Sequence, residues 1–249
     1  MSDNKAGIVF ALKIFIVCII FNAIILILSL GLNLIVNDDF TKSVAVISDS
    51  ASVVIDAGHG GRDGGAVSEL GIVEKDLNLS VSTALNDLLK LCGVNTVMTR
   101  KDDSLVCDEN DPSLKGKLKM TDLKNRLNIA EENPEAIFVS IHMNKFSVEK
   151  YSGLQVYFSP NNDNSLVLAT SIQNKVVEIL QNDNTRKVKK AGSNIFLLDR
   201  LSTTAVLIEC GFLSNKNEAQ RLSDSTYRAQ LSLVIADCVL TNLNAAGNN

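Results

Sequence analysis

The chain has 249 residues, 46% of them hydrophobic, with 24 basic and 28 acidic side chains and a formal charge of −4. That composition excludes an intrinsically disordered chain, and the slightly acidic balance offers no basic surface for nucleic acid. Five cysteines at 18, 92, 107, 210 and 238 are odd in number and scattered, which excludes a disulfide framework.

Taken in chain order, the first element is IFIVCIIFNAIILILSLGL, Ile14 to Leu32, nineteen residues without a charge. Its length suits the roughly 20 residues that cross a bilayer. It exceeds the roughly 7–15 residues of a secretory h-region, and no A-x-A-like cleavage site follows. Lys5 and Lys13 precede it and Asn37-Asp38-Asp39 follow, which puts the N-terminus inside and exports the rest. Residues 1–36 are therefore expected to be a membrane anchor, with a cleaved export signal of unusual length as the alternative. Residues 37–51 (NDDFTKSVAVISDSA) read as a linker, and 52–243 have the size of one extracytoplasmic domain.

Within that domain Val53-Val54-Ile55 is a short β-branched strand. In VEKDLNLSVSTALNDLLKLCG, residues Leu77, Val81, Leu85, Leu88 and Cys92 recur at helical spacing, with Gly93 as the stop. Val94–Thr99 is the next strand. Thr121 is expected to cap a helix through Leu123, Leu127 and Ala130 that ends near Asn133-Pro134. AIFVSIH (136–142) reads as a buried strand, LQVYF (154–158) as an alternating one, and 164–181 as a helix. IFLL (195–198) and AVLIE (205–209) read as strands, and Ser225 to about Leu240 closes the domain as a helix. Residues 101–120 and 183–194 are left as loops. The alternation predicts a single α/β domain, a mostly parallel sheet covered by helices on both faces, preceded by the N-terminal transmembrane helix.

Open α/β sheets collect their sites at the carboxyl ends of strands. His59 follows the first strand there, His142 closes the third, and Glu209 closes AVLIE. These are both histidines of the chain plus one carboxylate. The glycine-rich turn VVIDAGHGGRDGGA (53–66) lacks the G-K-[ST] of a P-loop and the third glycine of G-x-G-x-x-G. Its glycines suit a turn that aims a histidine and leaves room beside it. A catalytic zinc takes three His or carboxylate ligands and keeps one position open. His59 and His142 supply two candidates, and Glu74, in the first turn of the following helix, is placed to be the third. A helix N-terminal acid explains Glu74 equally well on spacing alone. Glu209 is then left as a proton-handling carboxylate.

Five blocks, VVIDAGHGG-DGGA…G-VEKDLNL, VNTVMTR-DD, NRLNIA, FVSIHMN and AVLIECGFLSNKNEAQRL, occur in this order. Together they resemble the zinc-dependent N-acetylmuramoyl-L-alanine amidases of the Amidase_3 family over nearly all of 52–240. The resemblance implies one Zn²⁺ on His59, Glu74 and His142, catalysis by Glu209, and peptidoglycan as substrate. A single anchored catalytic domain without wall-binding repeats looks most like the CwlD-type sporulation and germination branch. That branch trims peptide stems so that muramic-δ-lactam can form in spore cortex, which implies the forespore intermembrane space as location. Ala57 and Thr204 stand where the family commonly has proline, and Asp199 where it often has arginine. The last departure implies that another basic residue, or an accessory protein, supplies contacts to substrate or supports the metal. Three rivals stay open: a cell-wall peptidase using Cys210 with His59 or His142, a zinc peptidase cutting within the stem, and a non-catalytic peptidoglycan-binding protein.

Overall fold

The computed structural model describes residues 52–247; the anchor and linker expected at 1–36 and 37–51 lie outside the described residues. Among the described residues no helix is long and apolar enough to cross a membrane.

Six strands form one sheet: β1 (Ser52–Ala57), β2 (Asn95–Met98), β3 (Ile137–Asn144), β4 (Gln155–Phe158), β5 (Lys189–Lys190) and β6 (Ala205–Phe212). Their order is β2-β1-β3-β6-β4-β5. Every pairing is parallel except β4 against β6. Six helices surround the sheet: α1 (Glu74–Leu91), α2 (Leu118–Glu131), α3 (Asn164–Ile179), α4 (Phe196–Arg200), α5 (Lys216–Ser223) and α6 (Ser225–Gly247).

The β-branched runs of β1, β3 and β6 are buried on both faces, as the central strands of a parallel sheet must be. On one face Ile55, Val139, Ile141, Ile208 and Cys210 pack against the apolar stripes of α1, α3 and α6. In α1 that stripe is Leu77, Val81, Leu85 and Leu89, each buried and each stabilising the fold by about 1.5–3 kcal/mol. On the other face Val54, Phe138 and Ala205 form a smaller core with Ala130 of α2 and Leu197 and Leu198 of α4. The helices α2 and α4 pack on this second face, and the candidate site lies at its carboxyl end.

The structure departs from the sequence expectation in several places. IFLL is not a strand: after Ile195 the chain turns into α4, which buries Leu197 and Leu198 against the sheet instead of extending it. The helix expected from Thr121 already starts at Leu118, and Thr121 is an internal residue whose N–H donates to the Lys117 carbonyl. Strands β3 and β6 run on past His142 and Glu209, to Asn144 and Phe212, so these two residues sit inside strands. The polar helix α5, capped by the Asn215 side chain on the N–H groups of Asn217 and Glu218, was not anticipated, nor was the two-residue β5.

Candidate metal centre

The loop after β1 folds back over the sheet through close backbone contacts. His59 itself adopts φ 60°, a left-handed conformation uncommon for a side chain of its size. Its carbonyl is held from below by Arg126 Nη2 at 2.7 Å. This turn aims the imidazole across the end of β1 towards α1 and β3.

Three residues converge there. Glu74, the first residue of α1, is 4% exposed. Its Oε1 lies 3.2 Å from His59 Nε2 and 3.0 Å from His142 Nδ1, and accepts from the Met143 N–H at 3.1 Å. Its Oε2 accepts from the Ala66 N–H at 2.7 Å. The two imidazole rings meet edge to face, with centroids 5.0 Å apart. One ligand atom from each of His59, Glu74 and His142 falls within 4.8 Å of the others. Two imidazoles and one carboxylate are the donor set that suits zinc.

Space for this cluster depends on missing side chains. A Cβ on Gly58 would lie 2.3 Å from the His142 ring. One on Gly65, where φ is +67°, would lie 2.5 Å from Glu74 Oε2 and 2.7 Å from the His59 ring. The glycines beside His59 thus make a cradle that any larger residue would fill.

Outer groups orient the cluster. Asp63 Oδ2 holds His59 Nδ1 at 2.9 Å, which turns Nε2 towards Glu74. Beneath the loop, Arg126 is 2% exposed and pairs with Asp56 and Asp122, each at 2.7 Å. Asp56 also accepts from Thr99 and Ser140 hydroxyls. Asp63, Arg126 and Asp56 were not singled out from the sequence. Asp63 had a signal, an acid four residues after a histidine in a tight turn; the partners of Arg126 lie 4 and 70 residues away in the chain.

The charges are mutually adjusted. Burial opposes a charged His59, but hydrogen bonds to Asp63 and Glu74 outweigh it and hold the imidazole at about 9. Burial likewise opposes the Glu74 carboxylate, yet hydrogen bonds from both histidines keep it well below the usual carboxylate range. Hydrogen bonding to His59 lowers Asp63 to about 2.

Glu209 pairs in register with His142 on the neighbouring strand. Both line a cavity of about 250 Å³ with His59, Lys119, Phe196 and Leu207. Glu209 Oε2 is buried and has no hydrogen-bond partner. Burial, with Glu74 adding to it and His142 opposing, pushes its carboxyl up to about 7. An acid poised near neutrality can both take and return a proton. Cys210, the next residue, points to the opposite face: it is fully buried in the larger core, and burial pushes its thiol up. A thiol so placed reaches neither histidine and is not a nucleophile. Asp199 lies on α4 and pairs with its neighbour Arg200 at 3.4 Å.

Residues 53–241 match the Amidase_3 family, N-acetylmuramoyl-L-alanine amidase. The germination-specific N-acetylmuramoyl-L-alanine amidase of Bacillus subtilis (strain 168) is 30% identical over 212 residues, 85% of this chain and 88% of that protein. The CwlD amidase of Clostridioides difficile, solved in complex with the GerS lipoprotein, superposes with a TM-score of 0.74 at 34% identity, covering 78% of this chain and 99% of that one. The amidase AmiC2 of Nostoc punctiforme superposes with a TM-score of 0.65 at 30% identity, covering 77% and 96%. With the matched segment running from Val53 in β1 through every later strand and every residue of the cluster, the chain belongs to the Amidase_3 family of N-acetylmuramoyl-L-alanine amidases.

Proposed function

We propose that this amidase is a zinc enzyme in which His59, Glu74 and His142 hold the ion and Glu209 handles the proton. The observation that carries the reading is the placement of an unpartnered, buried carboxyl oxygen of Glu209 beside three ligand atoms that converge within 4.8 Å. Zinc held by these three residues would supply Lewis acidity toward the lactyl carbonyl of N-acetylmuramic acid and toward a water.

The chain's own residues do the rest. Glu209 takes a proton from the attacking water and returns it to the amide nitrogen of L-alanine as the C–N bond breaks. Such a role contributes about 10²–10⁴-fold. Asp63 keeps His59 in one tautomer, and Arg126 fixes the backbone that carries it. Phe196 and Leu207 line the same cavity as Glu209, whose burial raises its carboxyl in the metal-free protein.

The likeness to the germination-specific relative and to the CwlD amidase supports a role in spore cortex maturation, where removal of peptide stems precedes muramic-δ-lactam formation. In this reading residues 1–36 tether the domain outside the cytoplasmic membrane, and an accessory protein assists it, as the GerS complex of the CwlD amidase suggests. The test is metal analysis of the purified protein followed by digestion of muropeptides with and without a chelator. One equivalent of zinc and chelator-sensitive release of intact peptides from lactyl ends are expected. Cleavage inside the stem, or release that survives full metal removal, would reject the proposal.

A further inference from the structure

One strand beyond Glu209, the same sheet face continues into a second cleft of about 320 Å³, between β4, the end of β6 and the segment 184–190. Gln155 stands directly opposite Glu209 in the antiparallel β4–β6 pair. The cleft therefore adjoins the proton-handling carboxylate on the side away from His142.

Arg186 dominates this cleft, and it is held rigidly. Its Nε donates to the Ser152 carbonyl at 2.8 Å and its Nη1 to Gln155 Oε1 at 3.0 Å. The guanidinium lies over the Phe212 ring at 4.4 Å, with Tyr151 at 5.8 Å. Among the described residues no carboxylate comes within ion-pair distance of it, and Nη2 makes no hydrogen bond. Three N–H groups, one on Nη1 and two on Nη2, thus have no hydrogen-bond partner among the described residues. Lys189, exposed and also without an acidic partner among the described residues, sits 6.0 Å from the Tyr157 ring in the same cleft. A pre-oriented planar cation backed by aromatic faces is the arrangement that binds a carboxylate with little ordering cost.

The two halves of the substrate differ in charge. The lactyl sugar is neutral once its carboxyl is amidated, whereas the peptide stem carries at least its terminal carboxylate. We propose that this second cleft is the peptide-side subsite, in which Arg186, helped by Lys189, receives a carboxylate of the stem while the scissile amide lies against Glu209. The proposal rests on Glu209 marking the point of cleavage, as above. It also locates cationic contacts in this domain away from Asp199.

Calorimetric titration of the zinc-loaded full chain tests it with two probes: an L-alanyl stem peptide with free carboxylates, and the same peptide with every carboxylate amidated. The free acid is expected to bind at least about tenfold tighter. Arg186→Ala is expected to raise the Kd of the free acid by about 10- to 100-fold, the range for hydrogen bonds to a charged group, and to abolish the preference. Lys189→Glu removes no internal hydrogen bond, so it serves if Arg186→Ala fails to fold; it is expected to weaken the free acid and leave the amidated peptide unchanged. Equal affinity of the wild type for both probes, no measurable binding of either, or equal losses for both probes in the variants would overturn the subsite. Turnover of a muramoyl peptide is followed separately. Cleavage at the lactyl–alanine bond without an acid preference removes only the subsite. An acid preference without any cleavage supports the subsite and removes the catalytic reading.

Discussion

Gly58→Ala isolates the steric cradle of the proposed metal centre without replacing any of its three candidate ligands. The added Cβ would sit 2.3 Å from the His142 ring, against an ordinary carbon contact of about 3.5–4.0 Å. One of the two groups must move by about 1 Å. The backbone is poorly placed to give way, because the Gly58 N–H donates to Ile141 and its carbonyl accepts from Asn78 and Arg100. His142 therefore moves, and a ligand shifted by about 1 Å lies far outside the roughly 0.2 Å that zinc coordination tolerates. Loss of zinc affinity by about 100-fold or more is expected, at least the upper end of what outer-sphere changes cost. Gly71→Ala is the control: φ there is +75° but nothing lies within 4 Å of the new Cβ. It carries only the left-handed cost of about 1–2 kcal/mol, a fall in Tm of about 2–8 °C, with zinc retained. Gly65→Ala combines both effects. Zinc per chain and Tm, measured on the same preparations, decide the matter. A Gly58→Ala protein with a full equivalent of zinc, or zinc loss in Gly71→Ala equal to that in Gly58→Ala, would refute the cradle.

Glu209→Gln is expected to lower turnover by about 10²–10⁴-fold while zinc stays bound, whereas His142→Ala loses both; normal turnover by folded Glu209→Gln counts against its role. The same variant reports on stability. The carboxyl of Glu209 rises on folding from 4.5 to about 7, so the unfolded chain releases its proton first and the metal-free protein weakens as pH climbs between those values. At about 1.4 kcal/mol per unit the loss is about 3 kcal/mol. Chelated Glu209→Gln should therefore melt above chelated wild type at pH 8 and level with it near pH 4; a constant gap across that range would contradict the linkage. Arg126→Met leaves Asp56 and Asp122 buried without their cation and is expected to cost about 3–5 kcal/mol, read as a Tm fall of about 6–20 °C. A fall under 3 °C would show the network to be dispensable. Cys210→Ser is expected to keep amidase activity that a chelator still abolishes, and inactivity of a folded, zinc-loaded Cys210→Ser protein would revive the thiol mechanism.

The sheet was legible because its central strands carry apolar, β-branched runs bounded by glycine and polar residues, and α1 because its leucines recur at helical spacing. The limits of sequence reading fall on short or polar pieces. Residues 195–198 form an apolar run too short for periodicity to separate strand from helix, and tertiary packing under the sheet chose the helix. The Lys189–Lys190 strand is two residues of unremarkable loop composition that become a strand only through pairing with β4. Helix α5 is mostly polar, with only Ala219 and Leu222 on its buried side; those two and the Asn215 cap stabilise it. For the candidate site, His59, His142 and Glu209 come near one rim because β1, β3 and β6 are neighbours in the sheet, although His142 and Glu209 lie inside their strands and not at the exits read from the sequence. Glu74 needed the resemblance, since an acid at a helix start is commonplace. Arg126, Asp56 and the Arg186 cleft were invisible because their partners are joined only by the fold.

The reversed direction of β4 has an architectural outcome. In a uniformly parallel sheet every connection leaving a strand's far end shapes the active rim, and each of those must go on to build a covering helix. Here the segment entering β4, residues 145–154, reaches the rim instead, carrying Phe146, Tyr151 and the Ser152 carbonyl that steadies Arg186. It joins two strands directly and builds no helix. Its exposed part, residues 145–151, can therefore change without rethreading the domain, whereas Gly153 and Leu154 are held by Glu218 and Gln181 where the chain enters β4.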